Sequence, residues 1–260
     1  MAGKAVAKQK KTEVQEFDPS MYEQDAGVGN ENMTQDDLAL PFLKILSGLD
    51  PLLDDDTFDG RKGDIYNTVT GDVYKGKDGI RVIPCAYQKR FIEWAPRGVG
   101  TGAPVNIFTP DAARPKTERS KDDNREYVVG GSGTYIEETH QHFVLVIDDE
   151  GGAQPALIAM KSTQLKKSRK WNSMIQSRTM LGKNGPFQAP RFSHIYLLRA
   201  VSEENSKGSW HGWDMGLEGV VEDAALYGQG RTFAQSISAG DVNVKHSQDG
   251  DDPKSDEIPF

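Results

Sequence analysis

Alternating apolar and polar positions dominate the chain after residue 63 and predict a protein built mainly from strands. Two short runs, at 64–69 and 72–74, flank a Thr-Gly pair and predict a hairpin. Longer runs predict longer strands at 79–94, 134–148, 155–161, 191–201 and 208–215. Helical spacing interrupts this pattern between the third and fourth long strands, at 162–182, and returns at 217–238.

This order of elements defines the expected fold. Three strands, a helix and two strands are the order of the oligonucleotide-binding (OB) barrel, whose helix connects the third strand to the fourth. We therefore expect a mainly β, OB-fold-like, elaborated β-barrel with a helix between strands 3 and 4 and a C-terminal helix. Ser162 is the expected N-cap and Gly182 the expected end of the first helix, and a bulge is expected near Pro84. Residues 97–126 lack periodicity and predict a long loop.

The two ends of the chain differ in composition from this central region. Residues 1–36 are polar and poor in aromatic residues and are expected to be disordered. Residues 37–60 contain the first apolar cluster, which predicts a short helix or a docked arm, and then an acidic loop. Residues 61–240 form the predicted OB-fold-like domain. Residues 241–260 form a polar, acidic and disordered tail that follows it.

Composition narrows the classes of protein. Hydrophobic residues make up 36% of the chain, which fits a modest core with disordered segments. No apolar run approaches the roughly 18 residues of a membrane span, and the basic N-terminus lacks the apolar stretch of a signal peptide. Cys85 is the single cysteine, so neither an intrachain disulfide nor a multi-cysteine zinc site is expected. We expect a reducing, cytoplasmic setting and no membrane partner.

Positive charge is concentrated in residues 161–199, although the whole chain has a net charge of −8. This basic segment contains nine basic residues and no acidic residue. A solvated surface helix is one interpretation, but such helices usually mix both signs of charge. A polyanion would offset the repulsion within the segment, and backbone contacts are expected from Lys161, Lys166, Lys167, Arg169, Lys170, Lys183 and Arg191.

Aromatic residues interleave with basic ones at two places, and this combination is typical of proteins that bind single-stranded nucleic acid. Phe187 and Trp171 lie within the basic segment. The other group lies on the first long strand and comprises Tyr87, Lys89, Arg90, Phe91, Trp94 and Arg97. Because successive strand residues face opposite sides, one side of this strand must face the core, and only a subset of the rings is expected to stack on bases.

Catalytic motifs are sparse. The sequence contains neither a phosphate-binding loop of the Gly-x-x-x-x-Gly-Lys type nor a Gly-x-Ser-x-Gly nucleophile turn. Glu138, His140 and His142 share one strand face and could form a metal site, but a polar strand face is the simpler interpretation. The acids at 54–56 are expected to be solvated. We therefore expect neither enzyme activity nor a cofactor, with a metal-dependent nuclease as an open alternative.

The end of the chain carries a resemblance. Acidic residues precede a terminal Ile-Pro-Phe, which resembles the C-terminal tip of bacterial single-stranded DNA-binding proteins. In that family the last Phe enters an apolar pocket on helicases, polymerases and exonucleases. The resemblance implies a partner-binding tip at Asp256, Glu257, Ile258, Pro259 and Phe260. The segments 63–69 and 87–97 are also similar to phage-encoded single-stranded DNA-binding proteins, whereas the long body and short tail differ from the bacterial pattern.

These observations lead to a functional hypothesis. We expect sequence-independent binding and protection of single-stranded DNA during phage replication and recombination, with partner enzymes recruited through the tip. A single-strand annealing protein is an alternative of the same class. A replisome adaptor with little DNA contact, or the nuclease, are alternatives from other classes. A homodimer remains an open arrangement, and the host cytoplasm is the expected location.

Overall fold

The structure is a computed structural model that describes residues 20–34, 37–96, 98–99, 101–205 and 208–246. Its helices are α1 (Ser20–Gln24), α2 (Gln164–Gln176) and α3 (Ala224–Ala239), with 3-10 turns at Pro51–Asp54 and Arg191–Ser193. The strands are β1 (Leu43–Ile45), β2 (Ile65–Asn67), β3 (Val73–Tyr74), β4 (Ile80–Trp94), β5 (Asn106–Phe108), β6 (Thr117–Arg119), β7 (Glu126–Val128), β8 (Tyr135–Ile147), β9 (Ala153–Lys161), β10 (Thr179–Gly182), β11 (Gly185–Gln188), β12 (His194–Asn205) and β13 (Gly208–Val220).

An antiparallel sheet of eight strands curls into a half-barrel and forms the body of the protein. Its strands follow the order β13-β12-β4-β8-β7-β6, with β5 added beside β4 and β9 beside β8. The two longest strands, β4 and β8, pair from Arg81↔Ile147 to Trp94↔Tyr135. Their register shifts between Pro84 and Ala86, which confirms the expected bulge. The mainly β, barrel-like fold class is confirmed.

Each face of the sheet carries one helix. Helix α2 lies between the third and fourth long strands of the chain, as predicted, and it packs against β8, β9 and β13. It buries Trp171 and Ile175 in the first core, together with Val82 and Met160. Helix α3 covers the other face, where its Phe233 packs into a second, separate hydrophobic core. The C-terminal helix is therefore also confirmed.

Strands β1, β2 and β3 form a small separate sheet, and β2 and β3 are the predicted hairpin. Ile65 on β2 is fully buried. The segment before β1 is joined to the main sheet, because Phe42 bridges Leu157 of β9 and Leu157 N donates to Pro41 O at 2.8 Å. The apolar cluster of residues 38–46 therefore provides a docked strand, and residues 51–54 form a single 3-10 turn.

Several element boundaries differ from the sequence-based predictions. Helix α2 is preceded by Thr163 rather than Ser162, which has a φ of 49°, and it ends at Gln176. Gly182 lies in β10, because the chain turns back at residues 183–184 and forms a hairpin. Residues 217–220 continue β13, since Val220 pairs with His194. Residues 97–126 contain the short strands β5 and β6 and begin β7.

The chain continues along the domain after α3. Val242 and Val244 pack against the second core, and the His246 ring lies 5.8 Å from the Phe42 ring. Gln141 Nε2 donates to His246 Nε2 at 2.6 Å. Residues 241–246 of the acidic tail are therefore placed against β8, and the remainder lies outside the described residues. Within the described part of the chain, no helix is long and apolar enough to cross a membrane.

Candidate nucleic-acid interface

One face of the β4–β8 pair gathers the polar and aromatic side chains that the sequence pattern singled out. The register places Tyr87 opposite His142, Lys89 opposite His140 and Phe91 opposite Glu138. Residues directly opposite each other in antiparallel strands share a face. Tyr87, Lys89 and Phe91 are each partly exposed, so the alternation expected along β4 leaves this face partly open to solvent.

Each of the two partly exposed aromatic rings on this face of β4 has a cation over it. The guanidinium carbon of Arg114 lies 3.4 Å from the centre of the Phe91 ring, and Lys89 Nζ lies 5.0 Å from the same centre. The guanidinium carbon of Arg191 lies 5.6 Å from the Tyr87 ring. These are cation–π geometries. Sequence analysis missed Arg114 because it lies in the aperiodic segment 97–126.

The two tryptophans predicted to stack on bases are buried instead, and this corrects the prediction for both. Trp94 is 4% exposed and packs with Ile92 and Tyr135. Trp171 is fully buried and stacks on His142 with ring centres 4.7 Å apart. A ring that is already covered on both sides offers no platform to a base. Arg97 lies outside the described residues.

Arg90 lies on the other face of β4, next to the core that contains Trp94. Its guanidinium donates to Lys89 O at 3.0 Å and to Gln88 Oε1 at 2.5 Å. Burial lowers the pKa of Arg90. The structure therefore separates Arg90 from Lys89 and Phe91, with which it was grouped by sequence.

Four of the nine basic residues of the basic segment form ion pairs with acids from neighbouring strands. These ion pairs join Lys161 to Glu137 at 3.5 Å, Arg169 to Glu138 at 3.7 Å, Lys170 to Asp214 at 3.7 Å, and Lys167 to Glu203. The acids lie on β8, β12 and β13, outside the segment in sequence. Part of the charge of this segment is therefore compensated within the protein rather than by an external anion. Among the described residues, Lys166 and Lys183 are exposed and have no carboxylate within 4 Å.

A buried chain of hydrogen bonds connects α2 to β8. Ser168 Oγ lies 2.7 Å from His140 Nδ1 and 2.7 Å from His142 Nε2. At one end, His140 Nε2 lies 2.9 Å from Glu138 Oε1. At the other end, Arg191 Nη2 lies 3.2 Å from His142 Nδ1. This buried chain therefore joins five side chains from three parts of the protein.

The two ends of the buried chain fix the direction of every bond in it. Arginine can only donate and an ionised glutamate can only accept. His142 Nδ1 therefore accepts from Arg191, and His142 Nε2 donates to Ser168. The Ser168 hydroxyl then donates to His140 Nδ1, and His140 Nε2 donates to Glu138. Both imidazoles are thus neutral and carry their hydrogen on Nε2.

The pKa shifts of the titratable groups in the buried chain agree with neutral histidines and an ionised Glu138. Burial lowers the pKa of His140, and burial together with Arg191 and His140 holds the pKa of His142 well below its usual range. The pKa of Glu138 is lowered by its hydrogen bonds to Lys89 and His140, which outweigh burial. Both histidines are therefore uncharged at neutral pH, and Glu138 is ionised.

The buried chain is not suited to nucleophilic or metal chemistry. Ser168 and His142 are fully buried, so a substrate cannot reach the serine hydroxyl. The facing nitrogens of the two histidines are both occupied by Ser168. Among the described residues, no group of three or more acidic, histidine or cysteine side chains could hold a metal ion. The arrangement instead holds α2 and Arg191 against the sheet.

A shallow open cleft of about 600 Å³ lies beside the buried chain, between β4 and the second half of α2. It is lined by Tyr87, Asn172, Ser173, Gln176, Ser177 and Arg191. Burial lowers the pKa of Arg191 to about 10, so its guanidinium remains charged at neutral pH. Burial also raises the pKa of Tyr87, which keeps the phenol protonated.

The β10–β11 hairpin projects beyond α2 as a separate two-stranded sheet. Leu181 is 84% exposed and Phe187 is 46% exposed, and Lys183 is exposed in the turn. The Phe187 ring lies across Gly182, where an added Cβ would meet it at 3.1 Å. Of the predicted aromatic residues, Phe187 is therefore the most accessible.

Residues 9–243, which are most of the chain, match the family described as Pam3 phage gp34-like protein. The chain belongs to this family. Membership of the gp34-like family supports a phage origin. No curated protein and no solved structure matches the chain. The residues of the buried chain lie within the span that matches the gp34-like family, whereas the tip at 256–260 lies beyond it.

Proposed function

We propose that this protein binds single-stranded DNA without sequence preference and protects it during phage replication and recombination. The observation that carries the proposal is the open face of β4, where Tyr87 and Phe91 each lie beside a cation. Proteins that hold single strands combine aromatic platforms with positive charge along the backbone, and they need no catalytic group. The barrel-like fold presents such a face on a rigid sheet.

The exposed groups suggest how a strand would be held. Bases would stack on the more accessible Phe187, and on Phe91 where the Arg114 guanidinium that lies over its ring moves to a phosphate. Each stacked base contributes about 1–3 kcal/mol. Phosphates would meet Arg114 beside Phe91, and Lys166 and Lys183, which have no carboxylate within 4 Å among the described residues. The cations that are paired with acids, such as Lys89 with Glu138, would contribute only where a phosphate replaces the acid.

The acidic tip would recruit replication and recombination enzymes, as its resemblance to the bacterial tip implies. This part of the proposal rests on residues 256–260, which lie outside the described part of the chain. It is tested separately from DNA binding. Removal of residues 249–260 should abolish capture of a phage or host polymerase, helicase or exonuclease and should leave the protein able to bind a single strand.

DNA binding is tested by fluorescence anisotropy of a labelled oligo(dT) over a series of salt concentrations. We expect affinity to fall as salt rises, with a log–log slope of about −0.7 for each phosphate neutralised. Phe91→Leu should weaken binding about fivefold or more because it removes a stacking ring and keeps an apolar side chain. The matched control is Tyr22→Leu, which removes a 70% exposed ring on α1.

The outcomes separate the alternatives. Absence of salt-dependent binding would contradict the proposal. Equal losses of affinity in the Phe91 and Tyr22 variants would show that the open face of β4 is not the DNA-binding surface. An adaptor with little DNA contact would retain its function after charge reversal at Lys166, Arg169 and Lys170. Degradation of the oligonucleotide in magnesium or manganese would instead indicate a nuclease.

A further inference from the structure

Arg191 is a charged side chain whose counter-charge is missing from its surroundings. Its Nη2 donates to His142 at 3.2 Å and to Asn172 Oδ1 at 2.7 Å, and both acceptors are neutral. Its Nε is buried without a partner in the described part of the chain. No carboxylate of the described residues lies within 4 Å of this guanidinium. Burial of an uncompensated charge is costly, and an anion beside it would remove much of that cost.

The cleft beside Arg191 has the chemistry of a site for such an anion. Its lining contains no acidic residue among those described, and Arg191 is its one charged member. Nη1 of Arg191 and the exposed amide of Gln176 have no hydrogen-bond partner among the described residues. Both groups can donate to phosphate oxygens.

The helix end that borders the cleft does not oppose an anion as strongly as a bare helix end would. Carbonyl oxygens at a helix C-terminus carry partial negative charge. Here Arg178 Nε donates to Met174 O at 3.1 Å, and Ser177 Oγ donates to the same oxygen at 2.9 Å. Arg178 N also donates to Ile175 O at 3.1 Å. The carbonyls of Met174 and Ile175 near the end of α2 are therefore satisfied within the protein.

Tyr87 gives the cleft an aromatic surface for a base. Its ring forms one wall of the cleft, and the guanidinium carbon of Arg191 lies 5.6 Å from its centre. A base could lie against this ring while the attached phosphate meets Arg191. The volume of about 600 Å³ lies within the range of small-molecule sites, roughly 300–1,000 Å³, so one nucleotide fits.

We propose that this cleft is a nucleotide subsite, in which Arg191 and Gln176 bind one phosphate group and Tyr87 carries the adjoining base. The assignment of that phosphate to a DNA strand rests on the proposed function. A phosphodiester within a strand and the phosphate of a free nucleotide share the same chemistry, and the experiment separates them.

The first arm of the experiment uses the full-length protein and small probes. Side-chain NMR signals of Arg191 Nε–H and the Gln176 amide are followed during titration with inorganic phosphate, thymidine 5′-monophosphate and thymidine at constant ionic strength. Arg191→Lys and Gln176→Glu identify the two signals by their loss. We expect both signals to shift with phosphate and with the nucleotide, and the nucleoside without phosphate to leave them unchanged.

The second arm measures oligo(dT) binding. Arg191→Gln should weaken binding about tenfold and reduce the magnitude of the salt slope by about 0.7, because one phosphate contact is lost. The matched control is Arg231→Gln, which removes the same charge from an exposed position on α3, on the other face of the sheet. Thermal unfolding of both variants verifies that they are folded.

Each result has a defined meaning. Unshifted Arg191 and Gln176 signals with phosphate and nucleotide would overturn the subsite, whether or not the protein binds DNA. Where the wild type binds oligo(dT), equal affinity and slope for Arg191→Gln would overturn it as well. Shifts with the nucleotide, together with no oligo(dT) binding by the wild type, would support a free-nucleotide site and contradict the proposed function.

Discussion

Ser168 on α2 and His142 on β8 are joined by a buried hydrogen bond of 2.7 Å between Oγ and Nε2. The same hydroxyl lies 2.7 Å from His140 Nδ1, so one serine satisfies two imidazoles of the sheet. Helix α2, which carries four of the nine basic residues of the basic segment, is thus fixed to the sheet by polar as well as apolar contacts. Its position, and that of Arg191 beside it, depends on this serine.

Ser168→Ala should therefore destabilise the protein. The substitution leaves a buried donor on His142 and a buried acceptor on His140 without partners, and each unsatisfied group costs about 1–3 kcal/mol. We expect the free energy of unfolding to fall by about 2–5 kcal/mol in urea denaturation. Ser173→Ala on the same helix is the control, because the Ser173 side chain is exposed and its hydroxyl donates to Arg169 O within the helix. A loss as small as that of Ser173→Ala would contradict the role of the bridge.

Stability should fall when the solution becomes mildly acidic. The pKa of His140 and that of His142 are lowered in the folded state, so the unfolded chain binds these protons first. The stability is fully present above the unfolded pKa of about 6.5 and is lost as the pH falls below it toward the folded pKa. Each such histidine contributes a slope of up to about 1.4 kcal/mol per pH unit.

This prediction is measured as the free energy of unfolding between pH 8 and pH 5. His142→Gln, whose side chain has one amide donor and one carbonyl acceptor, should give a shallower decline below pH 6.5 and a curve parallel to the wild type above pH 7.5. An unchanged decline in the variant would show that His142 is not among the groups that take up protons on unfolding.

Glu138 restrains two cations of the proposed interface, and its neutralisation should strengthen DNA binding. It contacts Lys89 at 2.9 Å and Arg169 at 3.7 Å. Glu138→Gln keeps an acceptor for His140. It removes the negative charge from which Lys89 and Arg169 must separate before they can contact a phosphate. We expect tighter binding to oligo(dT) at low salt and a salt slope larger in magnitude by up to about 1.4, which corresponds to two more phosphates.

The control for this variant is Glu218→Gln, which removes the same charge from an exposed pair with Arg81, at 3.0 Å, on β13. Equal effects of the two substitutions would indicate a general change in net charge. Weaker binding by Glu138→Gln alone would mean that Lys89 and Arg169 need this carboxylate to hold their positions.

Two glycines of α3 offer a test of how this helix packs. An added Cβ at Gly228 meets no atom within 4 Å, so Gly228→Ala should stabilise the protein by up to about 1 kcal/mol through helix propensity. At Gly230 the Cβ would lie 3.1 Å from Phe192 Cβ and 3.7 Å from Cys85 Sγ. We expect Gly230→Ala to gain less than Gly228→Ala or to destabilise, as measured by thermal unfolding.

Local periodicity was sufficient to predict the long strands, the helix between the third and fourth of them and the alternation along β4, but not the short strands β5, β6, β10 and β11. It was insufficient where distant residues decide the outcome. Trp171 is covered by His142 of β8, and the acidic partners of Lys167 and Lys170, Glu203 and Asp214, lie more than 30 residues after them. A scan for acids within the basic segment could not reveal these pairs.

The end of α2 shows a second limit of sequence analysis. Helical spacing continued past Gln176, but Arg178 turns its guanidinium back onto Met174 O and the chain enters β10. Gly185, with a φ of 107°, follows the hairpin turn, whereas the sequence pattern predicts a helix stop at Gly182. The choice between a longer helix and a hairpin depends on this turn and on the contact of Ala189 with Arg178 O at 2.9 Å, which no local pattern encodes.

The directional order of the buried chain also has a consequence for how related sequences can change. A partly satisfied polar network is less favourable than an apolar core, so loss of one member removes the benefit of the others. Gp34-like proteins that lack the serine at the position of Ser168 should therefore also replace His140 and His142, with apolar residues filling their volume. The five positions are expected to be inherited as a unit. A relative that keeps only some of them should be less stable than one with the whole hydrogen-bonded chain or one with an apolar core in its place.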